Sequence, residues 1–202
     1  MAKRFETEMF GLNVIQRHDY EDSEIKHKIN SYRKKSVEAL TQFLTNVPGS
    51  DSFTSFLDIG CGDAHDMSYF KELNPKYEEV YGIDLYIEEE SNHIFKEDWY
   101  DINSVDYSEV IYINHSMEHA ANIYALMEEV ASLQVTGDVL FVAVPDGNSP
   151  FGYSITSSTT HFSVITEGFL STTLQRFGYN VAVETREFRE GSPEIWAFAV
   201  KS

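Results

Sequence analysis

The sequence predicts an α/β protein in which a mostly parallel sheet, covered by helices on both faces, ends in an antiparallel hairpin. Two observations predict this class. Between residues 55 and 144, short runs rich in β-branched and aromatic residues alternate with helical patterns, and strands connected through helices pair in parallel by right-handed crossovers. The last two β-rich runs are separated only by a turn at residues 190–193, and so short a connection makes an antiparallel hairpin.

The N-terminal segment, residues 1–50, is predicted to form a helical lid or cap on a main domain at residues 51–202. Apolar residues recur at helical spacing through residues 22–44, with Asp22 or Ser23 as the N-cap. The apolar stripe of such a helix needs a surface to pack against. That surface is the open cleft of the main domain, its outer face, or another protein chain.

The main domain is predicted to contain seven strands and three helices. The strands in chain order are residues 55–59, 79–85, 93–98, 109–114, 138–144, 179–188 and 194–200. The helices are residues 64–73, 120–133 and 166–177. Between the second and third strands there is room for only a turn or a shortened helix. Ligands of open α/β sheets bind at the carboxyl ends of the strands, so candidate site residues are sought there.

Composition and charge exclude several classes of protein. Lys and Arg number 15 against 33 Asp and Glu, and the formal net charge of -18 has the wrong sign for binding a nucleic-acid backbone. From Glu97 through Gln175 there are eleven acidic residues and no Lys or Arg, which disfavours a site for polyphosphates. No apolar run approaches the roughly 20 residues of a membrane span, and the polar start lacks a signal-peptide core. The single Cys61 predicts a cytoplasmic protein without disulfides.

A glycine-rich turn, Gly60-Cys61-Gly62, follows the first predicted strand and leads directly into a helix. Bare backbone N–H groups and the helix N-terminus are therefore available to a ligand. The dinucleotide motif Gly-x-Gly-x-x-Gly is incomplete, because its third glycine would fall on His65. Cys61 has no adjacent base, so its small size explains it better than nucleophilic reactivity does.

Acidic and aromatic residues follow the next strands at the same edge of the predicted sheet. Asp84 comes about 20 residues after the glycine turn, where an acid can accept both hydroxyls of a ribose. Asp98 and Trp99 follow the third strand and offer a carboxylate for an exocyclic amine and a ring for stacking. The fourth strand ends at Asn114 and is followed within five residues by two histidines and a glutamate.

This series resembles the class I S-adenosylmethionine-dependent methyltransferases, particularly the small-molecule group with a Glu-His pair after the fourth strand. The resemblance rests on residues 57–62, on Asp84, on Asp98 and on residues 117–119, and it departs from the family at Ala64, where a third glycine is usual. It implies a Rossmann-like three-layer sandwich with the strand order 3-2-1-4-5-7-6. It also implies S-adenosylmethionine as the cofactor and S-adenosylhomocysteine as the product.

The resemblance further implies roles for the motif residues. Asp58 and the two glycines would meet the methionine portion of the cofactor, and Asp84 would hold the ribose. Leu85 and Trp99 would flank the adenine, and Asp98 would accept its amine. The predicted cofactor-binding residues in chain order are Asp58, Gly60, Cys61, Gly62, Asp84, Leu85, Asp98, Trp99 and Asn114.

Methyl transfer requires the acceptor to be aligned with the methyl group, and a hydroxyl acceptor must also lose its proton. Histidine suits that task near neutrality. His161, between the fifth strand and the last helix, is the first candidate base, and His115, just past the fourth strand, is the second. His115, Glu118 and His119 have the spacing of ligands on a helix, but no cysteine cluster or third well-placed histidine accompanies them, so no metal site is predicted.

The predicted function is the direct in-line transfer of a methyl group to oxygen or nitrogen of a small-molecule acceptor. Two alternatives remain open. One is a methyltransferase-like module that holds the cofactor or a partner without catalysis, and the other is a nicotinamide-dependent oxidoreductase on a related sheet. The acidity disfavours nucleic acid as an acceptor, and the sequence determines neither the acceptor nor the oligomeric state.

Overall fold

The computed structural model describes residues 23–87, 90–149, 161–189 and 192–202, which form one seven-stranded sheet between two layers of helices. The strands are β1 (Ser55–Ile59), β2 (Glu79–Ile83), β3 (Ile94–Phe95), β4 (Val110–Asn114), β5 (Val139–Pro145), β6 (Tyr179–Arg189) and β7 (Ser192–Lys201). The α-helices are α1 (Ser23–Leu44), α2 (His65–Leu73), α3 (Ile123–Ser132) and α4 (Glu167–Arg176). Short 3-10 helices lie at Ser50–Ser52 and Met117–His119.

The order of the strands across the sheet is β3-β2-β1-β4-β5-β7-β6. The first five strands of this order pair in parallel, and β7 pairs antiparallel with both β5 and β6. The predicted fold class and strand order are therefore confirmed. The carboxyl ends of β1, β2 and β4 lie at one edge of the sheet because these strands are parallel.

The third strand is much shorter than predicted. Residues 93–98 were expected to be extended, whereas only Ile94–Phe95 pair with β2. The chain leaves the sheet directly afterwards, and the backbone N–H of Lys96 donates to the Glu90 carboxylate (2.9 Å) instead of to a strand. As the edge of the sheet, β3 has no second neighbour to extend its pairing.

The C-terminal hairpin is tighter than predicted. Ser192 and Pro193 were expected to belong to the turn, but both lie in β7, where Pro193 is paired with Glu187. The Pro193 carbonyl also accepts from the N–H of Asp146, just beyond β5 (3.0 Å). This bond extends the contact with β5 beyond the predicted start of the strand.

The helix after β4 begins later than its apolar pattern indicated. The chain first makes the 3-10 helix Met117–His119, and α3 starts at Ile123. The Asn122 side chain accepts from the N–H of Ala125 (3.2 Å) and caps α3. The predicted start at residue 120 is therefore corrected, and the segment before α3 is a tight turn at the carboxyl edge of the sheet.

Two hydrophobic clusters, one on each face of the sheet, hold the layers together. Because side chains alternate along a strand, Phe56 of β1 packs on the face covered by α1 and α2, where Leu40 and Phe70 are buried. Leu57 packs on the opposite face, which α3 and α4 cover and where Leu126 is buried. This arrangement is the three-layer sandwich.

The described part of α1 belongs to one of these layers. Val37 and Leu40 are completely buried in the same cluster as Phe56, so the hydrophobic core extends across the predicted boundary at residue 50. Residues 1–22 of the predicted lid lie outside the described residues. None of the helices in the described ranges is long and apolar enough to cross a bilayer.

Replacing Leu40 by alanine should lower the free energy of unfolding of the whole domain by about 2–5 kcal/mol, because a completely buried side chain of the core is truncated. Urea unfolding followed by circular dichroism measures this effect. The matched control is Gln42→Ala on the exposed face of α1, which should change the free energy by less than about 0.5 kcal/mol. An unchanged midpoint for Leu40→Ala would mean that α1 is a separable cap.

Candidate active site

The turn after β1 is held in left-handed backbone conformations. The φ angles are 80° at Gly60, 56° at Gly62 and 58° at Ala64. The N–H groups of Gly60 and Cys61 both donate to the Ile83 carbonyl at the end of β2 (2.8 and 3.1 Å). The turn is thereby attached to two strand ends. Ala64 tolerates the left-handed conformation that a third glycine would adopt more easily, at a cost of about 1–2 kcal/mol.

Gly60 lies against the protein's own side chains. A Cβ at this position would lie 2.1 Å from the Ser116 Oγ, which follows β4, and 3.8 Å from the Trp99 ring. Glycine is therefore required here by internal packing as well as by its positive φ, and no sequence pattern indicated the contact with Ser116. Cys61 is completely buried, and the N–H groups of Gly60, Cys61 and Gly62 all donate within the protein, so the expectation that the turn offers bare N–H groups to a ligand is wrong for these three residues.

The Asp84 carboxylate connects the end of β2 to the glycine turn. It accepts hydrogen bonds from the N–H groups of Gly62 (3.0 Å) and Tyr86 (2.7 Å). Two oxygens offer about four acceptor positions, so further donors can be accommodated. The next residue, Leu85, is 36% exposed, which places an apolar side chain beside this acid at the surface.

The third strand brings Trp99 to the same turn. Its indole packs beside the core, near the position that a Gly60 Cβ would take, and meets Tyr100 edge to face at 6.3 Å. Asp98 accepts from the N–H of Tyr100 (3.1 Å), which orders the local turn. The Trp99 ring thus lies beside the glycine turn, and the cofactor-binding roles of Trp99 and Asp98 stay predictions.

Asp58 lies directly before the turn and is 2% exposed. Its Oδ2 accepts no hydrogen bond within the described part of the chain. Burial, together with the nearby carboxylates of Asp66 and Asp84, raises the pKa of Asp58 well above its usual value, and the Arg33 guanidinium opposes this shift. An unsatisfied buried carboxylate oxygen is costly, and either protonation of the carboxyl or a cationic or hydrogen-bond-donating ligand would relieve that cost.

Arg33 of α1 reaches the same acidic group and was not predicted as a site residue. Its guanidinium donates to Asp66 (3.1 Å) and approaches Asp63 (3.4 Å). Asp66, which is 1% exposed, also accepts from the Tyr112 hydroxyl (3.2 Å) and the Asn114 amide (2.9 Å). The Asn114 side chain thus faces Asp66, and its predicted contact with the cofactor stays untested. The basic run at residues 33–35 was the one sequence signal for Arg33.

A histidine between two buried carboxylates occupies the turn after β4. His115 has a positive φ of 53°, and its imidazole pairs with Glu194 of β7 through Nε2 and with Glu118 through Nδ1 (3.4 Å). Burial would lower the pKa of His115, but the carboxylates of Glu194 and Glu118 outweigh it and raise the pKa to about 10. His115 is therefore protonated at neutral pH, which argues against its predicted role as a base.

Glu118, His119 and His161 meet beside this pair. The imidazoles of His119 and His161 pack edge to face with centroids 4.6 Å apart, and each of the three residues places one potential ligand atom within 4.8 Å of the others. Burial lowers the pKa of His161 to about 4, so this ring is neutral at pH 7. The sequence analysis missed this group because His161 is distant in the chain from the Glu-His pair.

The sheet order, the reversed β7 and the glycine turn define the fold of class I methyltransferases. A family model described as a methyltransferase domain matches residues 29–184, so the chain belongs to the methyltransferase domain family. No curated protein sequence matches the chain significantly. The family finding sets aside the oxidoreductase alternative.

Several solved methyltransferases share this fold. Magnesium protoporphyrin IX methyltransferase (ChlM) from Synechocystis PCC 6803, with bound S-adenosylhomocysteine, has a TM-score of 0.65 and 16% identity, with 99% of this chain and 100% of that chain covered. The plantazolicin methyltransferase BpumL, also with S-adenosylhomocysteine, has a TM-score of 0.67 and 14% identity, with coverages of 91% and 92%. A methyltransferase from Archaeoglobus fulgidus has a TM-score of 0.63 and 18% identity, with coverages of 84% and 94%.

Replacing Gly60 by alanine should lower the free energy of unfolding by about 2–4 kcal/mol, because a left-handed φ and a steric overlap with Ser116 act together. Gly49→Ala is the matched control: Gly49 has a φ of 86° and no atom within 4 Å of the added Cβ, so it carries the backbone strain alone. Combining Gly60→Ala with Ser116→Gly should recover at least about 1 kcal/mol in a double-mutant cycle of urea unfolding. Strict additivity of the two changes would contradict the contact.

Proposed function

We propose that this chain is an S-adenosylmethionine-dependent methyltransferase that methylates oxygen or nitrogen of a small-molecule acceptor by direct transfer. Asp58 carries the proposal. Its carboxylate is buried at the base of the glycine turn with one oxygen lacking a hydrogen-bond partner among the described residues. The ammonium of an amino-acid moiety would satisfy that oxygen.

The charge around the turn favours a cationic cofactor. Arg33 interacts there with Asp58, Asp63 and Asp66, and Asp58 also feels the carboxylate of Asp84. Four carboxylates against one guanidinium would repel the pyrophosphate of a dinucleotide. They would attract S-adenosylmethionine, in which an ammonium and a sulfonium outweigh one carboxylate.

The nucleoside part of the cofactor fits the ends of β2 and β3. Asp84 accepts from two backbone N–H groups, and its carboxylate is the proposed acceptor for the ribose hydroxyls. Leu85, exposed beside it, and Trp99, beside the turn, offer apolar and aromatic surface for the adenine. When bound, S-adenosylmethionine supplies a methyl group on an electrophilic sulfonium.

The N-terminal lid is part of this proposal. The Arg33 side chain, 20% exposed, joins α1 to the first residues after the turn through Asp63 and Asp66. In this proposal its guanidinium also meets the carboxylate of the methionine moiety. Because Val37 and Leu40 fix α1 in the core, α1 would act as a static cap beside the turn and help to exclude water from the reacting groups.

The acceptor would lie beyond β4, beside the Glu118, His119 and His161 group. The stretch from Glu97 through Gln175 has no Lys or Arg, so a neutral or cationic metabolite fits this edge better than a phosphorylated one or a nucleic acid. A neutral His161 is available as the predicted base for a hydroxyl acceptor, whereas an amine acceptor needs none. The single cysteine supports a cytoplasmic location.

Replacing Asp84 by alanine should weaken the binding of S-adenosylhomocysteine at least tenfold, about 1.4 kcal/mol, because the acceptor for two ribose hydroxyls is lost. Isothermal titration calorimetry measures this directly. Asp84→Asn removes the negative charge and keeps the shape of the side chain, so it distinguishes the two contributions to affinity. Glu78→Gln, exposed before β2, is a matched control that should bind S-adenosylhomocysteine normally. Unchanged affinity in both Asp84 variants would remove this residue from the cofactor site.

Turnover is tested by incubating the protein with S-adenosylmethionine and a panel of small phenols, alcohols, amines and carboxylates. S-adenosylhomocysteine should accumulate with at least one acceptor and should not accumulate in Asp58→Asn, whose buried oxygen is replaced by an amide. Tight cofactor binding without product from any acceptor would instead support the non-catalytic module.

A further inference from the structure

We propose that Glu118, His119 and His161 form a binding site for one divalent transition-metal ion of the zinc class. Each of the three side chains offers one ligand atom, and these atoms lie within 4.8 Å of one another. Ligands about 2.1 Å from a tetrahedral zinc ion are separated by about 3.4 Å. The group therefore needs to contract by little more than an ångström, which side-chain rotation can supply.

Two of the three proposed ligands have buried atoms that lack a hydrogen-bond partner among the described residues. Glu118 is 2% exposed, and neither of its carboxylate oxygens accepts a hydrogen bond from the described residues. The Nδ1 of His161 is likewise buried without a partner. Buried polar atoms are nearly always satisfied in native proteins. The Glu118 Oε1 has the His115 Nδ1 at 3.4 Å, so it is the Glu118 Oε2 and the His161 Nδ1 that indicate a missing ligand. A cation would satisfy the carboxylate and the imidazole at once.

The backbone holds the two halves of the site together. The N–H groups of Phe162 and Ser163 both donate to the Glu118 carbonyl (3.0 and 3.2 Å). His161 is therefore tied to the 3-10 helix that carries Glu118 and His119. Preorganisation of this kind lowers the entropic cost of gathering ligands from distant parts of the chain.

Outer residues orient and charge-balance the proposed ligands. The His115 Nδ1 lies 3.4 Å from a Glu118 oxygen, and Glu194 holds the other nitrogen of the ring. Hydrogen-bonded partners behind a ligating carboxylate are typical of metal sites. Two carboxylates flank this one histidine, so even a charged imidazole leaves one negative charge in excess, which a cation would neutralise.

The donor set selects the class of cation. Imidazole nitrogen suits zinc, iron, nickel and copper, whereas magnesium and calcium prefer all-oxygen sites. Two histidines and one glutamate leave coordination positions open for an oxygen ligand. On the proposed function, from which this consequence follows, that ligand would be an acceptor hydroxyl. The cation would lower its pKa, so that its proton passes to solvent water and its oxygen takes the methyl group as the sulfonium becomes a thioether. His161 then serves as a ligand and not as the base.

The test is calorimetric titration of ZnCl₂ into tag-free, chelator-treated full-length protein, with Co²⁺ absorption as an independent readout. Wild type should bind one equivalent, and MgCl₂ should not compete. Glu118→Gln and His161→Gln should each weaken zinc affinity at least about 100-fold, as expected when a ligand itself is lost. His93→Gln, an exposed histidine on the β2 side of the sheet, is the matched control and should bind as wild type does.

Absence of stoichiometric zinc binding by wild type would overturn the proposal, as would equal affinity in wild type and His161→Gln. If Glu118→Gln fails to fold, His161→Gln decides the question, because its side chain is only half-buried. The titration uses neither cofactor nor acceptor. Zinc binding without binding of S-adenosylhomocysteine would therefore contradict the proposed function alone. Binding of S-adenosylhomocysteine without zinc binding would contradict the metal site alone.

Discussion

The ion pair between Arg33 and the buried Asp66 is the interaction on which the site depends. Asp66 also accepts from Tyr112 and Asn114 of β4, so one carboxylate joins α1, α2 and the centre of the sheet. A buried charge without partners would cost several kcal/mol, and this cost fixes the position of α1. Because α2 begins directly after the glycine turn, the ion pair between Arg33 and Asp66 also holds that turn in place.

The turn itself combines steric and electrostatic constraints. Ser116 occupies the space where a Gly60 side chain would lie, while Asp84 accepts from the N–H of Gly62. The loops after β1, β2 and β4 are thereby packed into one surface. The acids that remain around it, above all Asp58, give that surface a negative potential suited to a small cation and unsuited to phosphate.

Beyond β4, the carboxyl edge of the sheet differs in chemistry from the glycine turn. There the turn after β4, the segment before α4 and the start of β7 bring three histidines and two glutamates into a partly buried cluster. His115 is held as a cation by Glu118 and Glu194, while His161 is kept neutral by burial. Two histidines of one cluster therefore differ in charge, since His115 is protonated and His161 is neutral. The composition of the chain does not reveal this difference. On the proposed function, this division would separate the cofactor-binding residues from the groups beside the acceptor.

The sequence by itself determined the sheet, its parallel and antiparallel parts and the glycine turn, because hydrophobic periodicity and turn chemistry are local properties of the chain. It singled out Asp58, Asp84 and Trp99 for the same reason, since Asp58 lies near the end of β1, Asp84 directly follows β2 and Trp99 comes shortly after β3. Only the tertiary structure decided that Arg33 reaches Asp66, that Ser116 packs on Gly60 and that His161 joins Glu118. These contacts connect segments distant in the chain, and packing between layers, not sequence spacing, sets which of them meet.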